Sequence, residues 1–156
     1  MLKNAIISVS DKTNIVNLTR FLFDKGFNVY STGGTYDKLD KEFPNSKNLF
    51  RVSDLTNFPE ILNGRVKTLH PRVYGGLLAD PQTGEHMEDM KQHDLPFFHV
   101  VVVNLYPFDK VSKKNGEDFE TCIENIDIGG VSLIRASSKN FKNIVILSDP
   151  KKYNFF

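Results

Sequence analysis

Within six residues in the middle of the chain fall two cations, a hydroxyl and an imidazole: residues 64–71 read Gly-Arg-Val-Lys-Thr-Leu-His-Pro. The planar fork of Arg65, the mobile ammonium of Lys67 and the small hydroxyl of Thr68 are the donors that a phosphate or a developing oxyanion requires. Gly64 and Pro71 argue against a continuous helix or a central strand, so the stretch reads as a loop. The plain alternative is a solvated connector, which is what most basic stretches bounded by glycine and proline are.

Other polar residues invite the same question. Thr32-Gly33-Gly34-Thr35 allows the backbone to approach an anion closely and point N–H groups at it, although most Gly-Gly pairs are simple turns. Ser10 and Lys12 close one apolar run, and Asn104 and Tyr106 close another. Lys67, Tyr106, Asp127 and Lys139 form a second group. Each has a bland reading. Asp127 could cap the helix that begins near Gly130, Lys139 could be an exposed lysine at a helix end, and Tyr106 could be a packed ring. His70 could be structural, and His86, His93 and His99 show no metal-binding spacing.

The elements that must position these residues follow from the apolar pattern. Residues 5–9 form a compact apolar run rich in β-branched side chains, and 10–13 (Ser-Asp-Lys-Thr) suit a turn and a helix start. Ile15, Leu18 and Leu22 make a stripe at helical spacing that Gly26 should stop. Residues 27–31 read as a second strand, a helix-compatible stretch runs to Glu42, and residues 49–52 read as a third strand. Gly75-Gly76 interrupts residues 73–79, which could be helical or irregular; residues 84–95 read as a surface helix with Met87 and Met90 as core contacts. Residues 97–103, apolar except for His99, read as a central strand buried on both faces. Phe119, Cys122 and Ile123 give another helical stripe, residues 131–138 a further helix and residues 144–147 a last strand. Strands alternating with helices predict βαβ units and a mainly parallel sheet with right-handed crossovers. Ligands of such sheets bind beyond the carboxyl ends of the strands, where Ser10, Lys12, residues 32–35, Asn104 and Tyr106 would share one rim.

Whole-chain numbers bound the alternatives. A length of 156 residues suggests one domain with a true core. Twenty Lys and Arg against nineteen Asp and Glu leave a net charge of +1, so bulk electrostatics make no case for nucleic acid or an acidic membrane surface. Any anion site must be local. Cys122 is the single cysteine and cannot form an internal disulfide, and no Cys/His spacing resembles a zinc site. With no signal-like start and no long apolar span, the expected setting is the cytoplasm.

Taken together, the motifs resemble the inosine monophosphate cyclohydrolase domain of the bifunctional purine-biosynthesis enzyme that also carries a formyltransferase domain. Ser-Val-Ser-Asp-Lys-Thr from Ser8, Ser-Thr-Gly-Gly-Thr from Ser31, the stretch from Gly64, Asn-Leu-Tyr-Pro-Phe from Asn104, Ile-Asp-Ile-Gly-Gly from Ile126 and Lys-Asn at Lys139 run in family order over essentially the whole chain. The resemblance implies a methylglyoxal-synthase-like three-layer α/β sandwich. It implies ring closure of 5-formamidoimidazole-4-carboxamide ribotide to inosine monophosphate with loss of water, without a metal or another cofactor. It places the substrate phosphate near Ser10, Lys12, Thr32, Gly33, Gly34, Thr35, Arg65 and Thr68, and the base near Asn104, Asp127 and Ile128. Lys67, Tyr106, Asp127 and Lys139 match the reacting-centre residues, with Lys67 expected to stabilise the oxyanion and Lys139, tuned by Asp127 and Tyr106, to relay protons. Thr32 stands where some members have serine, which keeps the hydroxyl.

Family domains continue with helical segments past the position of Phe156, so the chain reads as a single domain, residues 1–156, shortened at its C-terminus and without the formyltransferase domain. That shortening would leave the rings of Phe155 and Phe156 exposed. A homodimer is expected from the family and is not legible in the residues. Two rivals share the fold. Methylglyoxal synthase is disfavoured because its Gly-Asp-Pro-Asp stretch is absent. A purine-nucleotide-binding or regulatory module, like the allosteric domain of carbamoyl phosphate synthetase, would need anion contacts and no reacting lysines.

Overall fold

The computed structural model describes residues 2–113 and 119–155. Among them, five parallel strands form one sheet in the order β3-β2-β1-β4-β5: β1 (Lys3–Val9), β2 (Phe27–Ser31), β3 (Leu49–Arg51), β4 (Val100–Asn104) and β5 (Val145–Leu147). The expected α/β architecture is therefore present. β1 is the middle strand, and its apolar run is buried on both faces because helices cover both. Ala5, Ile7 and Val9 pack with Ile15, Leu18 and Leu22 of α1 (Ile15–Asp24) and Leu39 of α2 (Gly33–Glu42). Ile6 faces the other way with Val101 and Val103, under Val52 of α3 (Val52–Thr56), Val73 and Leu77 of α4 (Pro71–Leu78), and Leu133 and Ala136 of α8 (Gly129–Lys139). Two cores on opposite faces make three layers.

Chain order explains the cleft. From β1 the chain winds through α1, β2 and α2 to β3 at one edge, then returns to lay β4 on the other side of β1. Winding reverses between β1 and β4, and at such a switch point the loops beyond the two strand ends diverge and open a crevice.

Local details revise several boundaries. Residues 71–78 are a regular helix despite Gly75-Gly76. A Cβ at Gly75 would lie 2.6 Å from Leu95 Cδ1, and one at Gly76 would strike the Pro96 carbonyl and the Phe98 ring. These glycines exist for close packing and not for a turn. Pro71 occupies the first helical position, and His70 caps the helix by accepting the Arg72 N–H at its Nδ1, 3.2 Å away. The structural reading of His70 is thus the observed one. β4 begins at Val100 and not at Phe97, because Phe98 N–H bonds the Gly76 carbonyl of α4 at 3.2 Å; the sheet ladder starts with His99 N–H on the Asn4 carbonyl at 2.8 Å. β3 ends at Arg51, and Val52 already opens α3. α5 (Gly84–Gln92) lies on the surface with Met90 buried, α6 (Phe108–Ser112) follows β4, α7 (Phe119–Glu124) borders the cleft, and short 3-10 turns cover Leu62–Gly64 and Pro150–Phe155. The expectation for the rings of Phe155 and Phe156 lies outside the described residues and side chains.

At the end of the sheet remote from the cleft, asparagines close the backbone accounts. Asn140 Nδ2 donates to the carbonyls of Leu77 (2.9 Å) and Ala79 (2.8 Å) where α4 ends, and Asn4 Nδ2 donates to Phe97 O at 2.8 Å.

Candidate functional site

β1 and β4 end side by side, and Asn104 fixes the turn that follows them. Its Oδ1 accepts the Asp11 N–H at 2.8 Å and its Nδ2 donates to the Asp11 carbonyl at 2.8 Å. Ser10 N–H reaches the Asn104 carbonyl at 3.4 Å, and Lys12 Nζ folds back on the carbonyls of Val9 and Ser10 at 3.3 Å each. Asn104 does not line the cleft. Its amide holds the turn that carries Ser10 and Lys12 at the rim.

β2 delivers Thr32 to the start of α2. Thr32 and Thr35 are buried, and Thr35 Oγ1 donates to the Val9 carbonyl at 3.0 Å, joining this loop to β1. Gly33 has φ +47, a left-handed conformation that glycine adopts at little cost. Its N–H points to Glu60 Oε1 at 3.0 Å.

The basic loop is a hairpin. Ile61 and Val66 pair as an antiparallel bridge, and Leu62, Asn63 and Gly64 turn the chain with φ of 54, 53 and 83°. Glu60 and Lys67 flank the bridge and meet, Lys67 Nζ lying 3.9 Å from Glu60 Oε2. The lysine stem passes over glycine, since a Cβ at Gly64 would lie 2.7 Å from Lys67 Cε and one at Gly33 would lie 3.3 Å from Lys67 Nζ. Arg65 pairs with Glu124 of α7, whose hydrogen bond and charge hold the guanidinium above its ordinary pKa. Both partners of that pair are largely exposed, so its contribution to stability is small. Thr68 is buried against the start of α8, its Oγ1 3.2 Å from where a Gly129 Cβ would stand. Behind it lies Tyr74, whose hydroxyl is buried near those of Thr68 and Ser132; burial raises its pKa.

α8 supplies the last wall. Asp127 Oδ1 accepts the Gly130 N–H at 2.6 Å, a helix-capping contact that fixes the carboxylate. A Cβ at Gly130 would lie 2.7 Å from Asp127 Oδ2, so glycine is what lets the carboxylate sit so close. The resulting cleft has a volume of about 540 Å³ and is lined by Ser10, Lys12, Thr32, Gly34, Thr35, Arg65, Lys67, Thr68, Tyr106, Asp127 and Ile128, with Asn63, Ile123, Glu124 and Ile126 among further walls. Gly33 adjoins it through Lys67. Cations, hydroxyls, helix N-termini, isoleucines and an exposed tyrosine in one cleft suit a ligand that carries both an anionic group and a flat, partly apolar one.

Lys139 is elsewhere. It is the exposed last residue of the eleven-residue α8, and a rise of 1.5 Å per residue puts it about 15 Å from Gly129 along the helix axis. It does not line the cleft with Lys67, Tyr106 and Asp127. Sequence reasoning also missed Glu60 and Glu124. The signal for Glu60 was present: Asn63-Gly64 is a hairpin dipeptide, and a hairpin there sets Glu60 opposite Lys67. Among the described residues no group of three or more His, Cys, Asp or Glu could hold a metal ion, and no helix is long and apolar enough to cross a membrane.

Comparison with known proteins gives the arrangement a context. The family model described as "MGS-like domain" matches residues 14–132. A "Bifunctional purine biosynthesis protein PurH" of Thermoanaerobacter sp. (strain X514) is 49% identical over 154 residues, 99% of this chain and 30% of the relative. Proteins of the same description from Rhizobium meliloti (strain 1021) and Dictyostelium discoideum are 51% and 48% identical over 98% and 97% of this chain, and 28% and 27% of the relatives. The chain thus spans under a third of the length of these relatives. A solved structure described as "Crystal structure of ForH" matches with a TM-score of 0.86 and 35% identity, over 98% of this chain and 75% of that one.

Proposed function

This chain belongs to the MGS-like domain family, and from that premise we propose that it is an inosine monophosphate cyclohydrolase, closing 5-formamidoimidazole-4-carboxamide ribotide to inosine monophosphate with loss of water. The observation that carries the reading is the single cleft in which Lys67, Thr68, Tyr106 and Asp127 meet the hydroxyl and glycine loops that follow β1 and β2. The substrate phosphate binds at the start of α2, near Thr32, Gly33 and Gly34, with Ser10, Lys12, Thr35, Arg65 and Thr68 around it. Its base end lies toward Asp127, Ile128 and Tyr106.

Ring closure joins a weakly nucleophilic carboxamide nitrogen to a formyl carbon of the same molecule. Holding the two groups in a near-attack geometry supplies much of the acceleration. Lys67 stabilises the negative charge that develops on the formyl oxygen. Asp127 has one oxygen committed to Gly130 N–H and the other beside the cleft, so it can take the proton shed by the nitrogen. Tyr106, a residue 47% exposed and lining the cleft, is placed to protonate the formyl oxygen. The hydroxyl then takes a second proton and leaves as water while the formamide nitrogen sheds its own proton and the C=N bond of the ring forms. Lys139, at the far end of α8, is left out of this centre.

The same reading places the protein in the cytoplasm as a homodimer acting on a small purine ribonucleotide. Phe108, Phe119, Ile126 and Val131, exposed apolar residues on and beside α6, α7 and α8, support a second copy covering that flank. The deciding experiment follows near-ultraviolet absorbance after purified protein is given the formamido ribotide, with Lys67→Ala as control. Product from wild type alone is expected. Absence of turnover with retained inosine monophosphate binding would reduce the chain to a nucleotide-binding domain.

A further inference from the structure

Two donors, Lys67 in the cleft wall and the Gly33 N–H beside it, already share an anion supplied by the protein. Glu60 sends one carboxylate oxygen to the Gly33 N–H at 3.0 Å, at the start of α2, and the other toward Lys67 Nζ at 3.9 Å. A helix N-terminus and an ammonium sharing a single carboxylate form the arrangement a phosphate would demand. We propose that Glu60 is a built-in competitor anion: it fills the phosphate cradle and engages Lys67 when the site is empty, and a phosphate-bearing ligand must displace it. This rests on the nucleotide reading above and deepens it, because it makes the site select by charge. A dianionic phosphate offers more charge and more acceptor oxygens than the carboxylate and displaces it. A neutral nucleoside cannot, and leaves Lys67 engaged.

Three features make the exchange feasible. The side chains of Glu60 and Lys67 are 31% and 29% exposed, so water reaches the pair, weakens it and can receive the carboxylate when it leaves. Glu60 stands at the base of a hairpin whose tip holds Leu62 and Asn63 at φ 54 and 53°, conformations that side chains other than glycine adopt at a cost. Finally, Glu60 draws one donor from each half of the site, the α2 cradle and the reacting centre, so its departure frees both together.

The test compares wild type, Glu60→Gln and Glu60→Asp by calorimetric titration with inosine monophosphate, inorganic phosphate and inosine. Glutamine keeps an acceptor for the Gly33 N–H and removes the charge, and thermal unfolding verifies that each variant is folded. The expected result is that Glu60→Gln binds the nucleotide and inorganic phosphate about threefold to tenfold more tightly than wild type, while its affinity for inosine is unchanged. Glu60→Asp, which keeps the charge on a shorter stem, should fall between. Equal or weaker nucleotide binding by Glu60→Gln overturns the competitor role and leaves the site reading intact. Equal tightening for inosine also overturns it, since the gain would then owe nothing to phosphate. Failure of wild type and both variants to bind the nucleotide overturns the site reading and the competitor role together.

Discussion

Backbone bonds from side chains brace both ends of the sheet, among them those of Asn104, Lys12 and Thr35 at the cleft end, but the two ends treat their remaining polar groups differently. At the end away from the cleft, Asn4 and Asn140 reach backbone carbonyls at 2.8–2.9 Å and leave nothing to exchange. At the cleft end, Lys67 and Arg65 rest on carboxylates that are themselves partly exposed, and the N–H of Gly33 rests on a side chain that can move. Bonds to fixed backbone hold the fold together, whereas bonds to solvated side chains can be traded for a ligand. α8 runs from one regime to the other, with Asp127 and Gly130 in the cleft and Lys139 and Asn140 at the far end.

Substitutions at the two ends should therefore separate activity from stability. Lys67→Ala should lower turnover about 10²–10³-fold, the effect of losing an oxyanion donor, with little change in melting temperature. Steady-state absorbance kinetics and a thermal melt check it. Gly130→Ala inverts the usual gain of alanine in a helix: its Cβ would meet both Asp127 Oδ2 and Leu105 Cδ2 at 2.7 Å, so about 1–3 kcal/mol of stability should be lost, and nucleotide affinity with it. Asn140→Ala strands two carbonyls and should cost about 1–2 kcal/mol in denaturant unfolding, with nucleotide affinity unchanged. Lys139→Ala removes a cation from a helix C-terminus, a loss of about 0.3–1 kcal/mol, and should leave inosine monophosphate affinity at the wild-type value. A fall in that affinity would break the division between the ends.

The smallest effect concerns pH. Burial lowers the pKa of His99, at the far end, and the nearby Lys3 adds to the shift. A depressed folded pKa means that the unfolded chain takes up the proton first. The stability is fully present above pH about 6.5 and is lost as pH falls from there through the lower folded value. Melting temperature measured against pH should flatten in this range in His99→Gln, while nucleotide binding at pH 7 stays unchanged.

The strands and the rim were legible because apolar runs buried on both faces are hard to mistake, and because parallel order places every strand's end on one edge. What escaped has specific causes. Gly75 and Gly76 left helix and irregular segment both open, and only the approach of Leu95, Pro96 and Phe98 explains why a helix carries them. The Lys139 motif follows Asp127 closely in sequence, yet an intact helix carries the two apart. The part Asn104 plays in bracing the turn at Asp11 was not legible either, because it depends on the two strand ends lying side by side. Glu60 escaped although Asn63-Gly64 marks the hairpin that sets it against Lys67.

The register of the middle strand also bears on how the molecule comes into being. Ala5 pairs with Val100, and Val9 with Asn104, across about 95 residues of intervening chain. Pairings so distant are slow to form, and here the cleft straddles that seam. During synthesis the N-terminal strand and the loop after it must wait for β4 before the two walls can meet. Competence for ligand is thus gained late and all at once, when the longest loop in the sheet closes.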